Sequence, residues 1–261
     1  MDTLLKPGRC FFAASLIAFG VQYVIYGRFA GGLPPVPPWT PGGHVGAYLV
    51  GAALIAAGIS IAANWKARWS ATLVGIFNLL CVVFLHTIHF SDIVHSGVGR
   101  TRAFEPLAIS GAALVLAGII GSGTLAARTA APRQDQTVLL GRQILLGRWI
   151  FAVSMIIFGI QHFMYLAFIA TLIPAWIPGH LFWVYLTGTG FIAAGVSIMV
   201  GKYARLGSTL LGVMFLLWVL LLHGARVAAA LHNGDEWSSL WVALCLSGSA
   251  FVIAQSFPKK T

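Results

Sequence analysis

Three groups of side chains in this chain have the types and spacing to do chemistry. His86, His89 and Asp92 follow one another at three-residue steps, with His95 beyond, where a hydrophobic run gives way to polar sequence. On a helix, residues three apart share a slowly rotating face, so these side chains could converge. A second run ends in His223 and Arg226, and a third group is Gln161-His162 with Tyr165. His44, His180, Glu105 and Glu236 lie near the ends of other runs. Two imidazoles could ligate haem iron, or His86, His89 and His223 with Asp92 or Glu236 a divalent metal. No HxH, HExxH or CxxCH pattern accompanies them, which makes metal and haem the weaker readings. Histidine and tyrosine could instead donate to the carbonyls of a quinone while a carboxylate takes up protons. The plainest alternative is that each histidine hydrogen-bonds a neighbouring helix or an acidic loop. Glu105 and Glu236 likewise read as caps, since a carboxylate favours a helix N-terminus.

The elements that must position these groups are hydrophobic. Of the 261 residues, 59% are hydrophobic and only 8% are charged, and the mean hydropathy is +0.89. Soluble domains carry roughly a quarter charged residues, so this is an integral membrane protein with the lipid bilayer as its first partner. A helix needs about 20 apolar residues to cross a bilayer. Eight such runs stand near 10–27, 44–63, 70–91, 104–122, 149–170, 181–200, 206–227 and 238–256. The formal charge of +10 is spread singly among run ends, so it reads as a topology signal and not as a nucleic-acid surface. Cys10, Cys81 and Cys245 lie in apolar sequence without a CxxC pair, which argues against a disulfide framework or thiol relay. The first run is a retained span and not a cleaved signal, because it recurs inside the chain.

That recurrence organises the whole sequence. Gly8-Arg9, Phe12, Ser15, Phe19-Gly20 and Gln22 line up with Gly147-Arg148, Phe151, Ser154, Phe158-Gly159 and Gln161. Downstream, Gly51, Gly58, Ser60, Gly75, His86 and Ser110-Gly111 line up with Gly188, Gly195, Ser197, Gly212, His223 and Ser247-Gly248. The fold class expected is all-α, with eight transmembrane helices arranged as two parallel-repeat four-helix bundles. The repeats span 1–122 and 141–261, joined by a polar cytoplasmic linker at 123–140. Small residues in the second helix of each unit suggest that this helix is central to its bundle. Basic residues at both termini, in the linker and after spans two and six put those segments in the cytoplasm. Two Pro-Trp hinges, Pro34–Pro41 with Trp39 and Pro174–His180 with Trp176, then face the other side of an inner membrane. Each tryptophan reads as a boundary anchor or as the wall of a pocket.

These residues carry a resemblance. A four-helix unit opening on Gly-Arg, with Phe158-Gly159-Ile160-Gln161-His162-Phe163, the loop Pro174-Ala175-Trp176-Ile177-Pro178 and a late helix ending in histidine, resembles the DoxX/DoxD-like membrane proteins. It covers nearly the whole chain as two fused copies, more clearly in the second half. DoxD-type members imply a membrane subunit of a thiosulfate:quinone oxidoreductase. The first half departs from the pattern: Tyr23 replaces the histidine equivalent to His162, and its hinge is richer in proline.

The leading expectation is therefore a quinone- or redox-associated membrane subunit with a ligand pocket near the outer face. Gln161, His162, Tyr165, Trp176, His180, His86, His223 and Glu236 are its expected lining. A non-catalytic scaffold docking a membrane or periplasmic protein partner is the second reading. A carrier for a small apolar solute is the third.

Overall fold

The computed structural model describes residues 4–27, 29, 43–86, 90–128 and 134–258, and its regular elements are all helices. In chain order they are α1 (Leu5–Tyr26), α2 (Gly43–Ala63), α3 (Ala67–Cys81), α4 (Phe90–His95), α5 (Gly97–Arg128) and α6 (Gln134–Met164). Then come α7 (Leu166–Leu172), α8 (His180–Val200), α9 (Ala204–Trp218), α10 (Gly224–Ala229) and α11 (Gly234–Gln255). Both α3 and α9 run on into a single π turn, Val82–His86 and Val219–His223. Among the described residues, eight stretches are long and apolar enough to cross a membrane. Lipid offers no partner for backbone groups, so each crossing must be helical. The first Pro-Trp hinge with Trp39, and His89, lie outside the described residues.

The spanning helices close a ring in the order α1, α2, α3, α5, α6, α8, α9, α11 and back to α1, with α5 touching α11 across it. The first helix of each half thus packs on the last helix of the other half. Close backbone approach makes this possible. A Cβ on Gly111 of α5 would stand 2.6 Å from the carbonyl oxygen of Gly147 on α6. One on Gly248 of α11 would stand 2.7 Å from the carbonyl oxygen of Gly8 on α1.

This arrangement corrects one expectation. The central helices are the last of each half and not the second: 72% of the most apolar stretch of α5 and of α11 is buried, against 33% in α2 and 39% in α8. The small residues of α2 and α8 serve one tight neighbour each, as where Gly51 meets Gly20 and Gly188 meets His162. Smallness on one stripe marks a close approach and does not make the helix central.

Two further boundaries differ from the sequence reading. The polar stretch 123–140 is helical on both sides of 129–133, because α5 extends to Arg128 and α6 begins at Gln134. The fifth run does not continue unbroken to 170. It breaks at Tyr165 (φ −122°, ψ 36°), and α7 starts afresh beyond it. At the basic end, Arg148 donates Nε–H to Ser256 Oγ at 2.8 Å and stacks 3.8 Å over Phe257. Arg205 donates to the Phe257 carbonyl at 3.0 Å. Both arginines hold the C-terminal end of α11, where the helix dipole favours cations.

Candidate functional site

A cavity of about 1160 Å³ lies between the starts of α5 and α11, the end of α6, α7, α8 and the end of α9. Its wall is mainly aliphatic and aromatic, the usual character of a small-molecule site. Ile173, Pro174 and Ile177 of the second hinge close one side.

His162 is a tightly constrained polar group of the wall. It is 9% exposed. Its ring is stacked on Trp218 (centroids 5.9 Å apart, 20° between planes) and meets Phe191 at 5.1 Å. Nδ1 lies 2.8 Å from the Phe158 carbonyl oxygen. A carbonyl can only accept, so Nδ1 carries the proton and, in the neutral ring, Nε2 is left as an acceptor. Phe191, Phe215 and Trp218 are edge-to-face with one another at 5.4 to 5.7 Å. These contacts fix the His162 ring from two sides.

Trp218 and His223 both line the cavity although they are five residues apart. Along an ideal α-helix, residues five apart point about 140° away from each other. The π turn Val219–His223 closes its hydrogen-bonded ring over five residues, which brings the two side chains back towards one face. Nδ1 of His223 is buried and has no hydrogen-bond partner. One turn further, Arg226 binds Glu236 through two bonds of 2.8 Å.

Gln161 and Tyr165 line the cavity but also hold it in shape. The Gln161 amide donates to the Gly97 carbonyl at 3.0 Å and contacts Thr101 Oγ1 at 3.2 Å, and the Tyr165 ring packs on Gly97. Together they grip the start of α5. In the other half, Gln22 donates to the Gly234 carbonyl (2.8 Å) and to Ser238 Oγ (2.7 Å), and Tyr26 packs on Gly234 at the start of α11.

Of the expected lining, the structure brings together Gln161, His162, Tyr165 and His223. Trp176 is 67% exposed on the hinge, as a boundary anchor would be, and His180 opens α8 outside the cavity wall. His86 ends the other π turn and is not in the wall, and Glu236 is engaged by Arg226. Among the described residues no group of three or more His, Cys, Asp or Glu side chains could hold a metal ion.

Sequence reasoning missed Trp218, Phe191 and Glu105 as wall residues. Glu105 also corrects the capping expectation. Helix α5 begins at Gly97, so Glu105 lies two turns inside it and faces the cavity. Pro106 follows it and removes the helical donor to the Arg102 carbonyl, beside the same cavity. A carboxylate next to a proline inside a long apolar run was the available signal.

No protein family, curated protein or solved structure matched this chain.

Proposed function

We propose that this protein binds the head group of a quinone in the second-half cavity, as a redox-associated subunit of the inner membrane. The observation that carries the reading is His162, fixed in tautomer and clamped against Trp218 in the wall of a large apolar cavity. The outer face of this stacked pair suits a flat head group. Tyr165 supplies a phenolic hydroxyl and His223 a second imidazole, and the remaining volume suits an apolar tail.

The resemblance to DoxX/DoxD-like proteins belongs to the same proposal, as does a pseudo-twofold along the membrane normal relating two fused units. Paired contacts support the latter: Ser110 Oγ donates to the Gly75 carbonyl at 2.7 Å, and Ser247 Oγ to that of Gly212 at 2.8 Å. The clustering of basic residues supports cytoplasmic termini.

The test is titration of the purified full chain with a short-chain ubiquinone, followed by tryptophan fluorescence. His162→Ala and His223→Ala should each weaken binding at least about tenfold, a loss of about 1.4 kcal/mol. Variants that stay folded and bind as tightly as the parent would end the quinone reading.

A further inference from the structure

Among the described residues, the carboxylate of Glu105 braces no neighbouring helix. It faces the cavity from within a membrane-spanning stretch and makes no hydrogen bond or ion pair among the described residues. Ionisable groups inside a membrane-spanning stretch are costly and normally paired. Its nearest cation by sequence, Arg102, stands one turn earlier on α5, is exposed, and attracts Glu105 only from beyond ion-pair distance. Asp235 adds a second carboxylate to the wall, so two acidic groups face one guanidinium there. Of the other nearby arginines, Arg226 is paired with Glu236, and Arg100 donates to the Ile93 and Val94 carbonyls. The remaining wall is aromatic, with Trp218, Phe191 and Phe215 in one mutually packed cluster.

A quinone held against His162 adds no positive charge to the wall, where Arg102 is then shared by Glu105 and Asp235. A small inorganic cation would leave the aromatic wall unused and would find no cluster of ligands. A bulky organic cation satisfies both, since its charge meets the carboxylate while its apolar groups lie on aromatic faces, where cation–π attraction adds to burial. We infer that the cavity binds lipophilic cations, with Glu105 as the counter-ion and the Trp218 cluster as the aromatic wall. The inference rests on the cavity and its charges, and it stands or falls apart from the quinone reading.

The probe is tetraphenylphosphonium, titrated into the full chain in mild detergent by equilibrium dialysis. Tetraphenylborate, of the same shape and opposite charge, is the control. Saturable binding of the cation at least about tenfold tighter than the anion is expected. Glu105→Gln should remove that preference, and Arg102→Ala should strengthen cation binding severalfold. Equal binding of the two ions would show simple apolar partitioning and overturn the inference, as would an absence of saturable cation binding. If Glu105→Gln does not fold, the ion preference of the parent and the Arg102→Ala response decide the matter. A Glu105→Gln variant that folds and keeps the cation preference would also refute it, whatever ubiquinone does.

Discussion

The two halves share a frame and differ in what fills it. Gln22 and Gln161 each reach across to the first turn of a central helix, and Ser110 and Ser247 each bond a glycine carbonyl on the neighbouring helix. Inside that frame, Tyr23 stands where the second half has His162. Tyr23 is completely buried and packs edge-to-face on Phe29 at 5.4 Å. Sequence register puts Cys81, Asn78 and Leu54 opposite Trp218, Phe215 and Phe191. At these four positions the first half thus has one ring, Tyr23, which packs on Phe29, and otherwise Leu54, Asn78 and Cys81. The second half spaces four rings around the wall of a cavity. Polar contacts between helices therefore preserve a backbone arrangement while the interior is free to become packed or hollow.

Three changes would break or sharpen this comparison. The largest effect belongs to the shared frame. Gly111→Val on α5 and Gly248→Val on α11 push side-chain carbon into the facing backbone at 2.6 Å and 2.5 Å. Each should cost about 3 kcal/mol or more. Neither variant should give a monodisperse peak in size-exclusion chromatography. Unequal tolerance of the two would mean that the halves do not share the frame.

Next comes the exchange at the divergent position. His162→Tyr should remove the fixed imidazole from the wall and lower ubiquinone binding at least about tenfold without lowering the melting temperature. Tyr23→His should cost roughly 1–3 kcal/mol, because a smaller and more polar ring replaces one that is fully buried. Unchanged binding by the first variant, together with unchanged melting of the second, would place the difference between the halves elsewhere.

The smallest expected effect concerns the glutamines. Gln22→Leu and Gln161→Leu should each destabilise by about 1 kcal/mol, read as a lower denaturation midpoint in detergent. Similar losses would support a common clamp. If only ligand binding changed in Gln161→Leu, Gln161 would be a binding group and not a brace.

Much of the frame was legible before any coordinates. Eight runs of near-membrane length required eight helices, because lipid leaves backbone polar groups no other solution. The matched glycines and serines also marked close helix approaches, since these admit only small side chains, whereas Gln161 read as pocket lining and not as a brace. His162 and His223 stood out as polar groups in apolar sequence, and both line the cavity.

Other features depended on contacts distant in sequence. Nothing local to Val219–His223 announces a π turn, yet that turn brings Trp218 and His223 to one wall. The neighbouring proline marks Glu105 as unusual, but only the packing decides that it faces side chains from α6 and α9. The centrality of α5 and α11 likewise follows from each half packing its first helix against the other half's last one. Composition and spacing determined how many helices cross and which residues touch at close range, because both follow from local backbone and solvent physics. Which interior stays open, and which charge faces it, was decided only when eight similar helices settled into one ring.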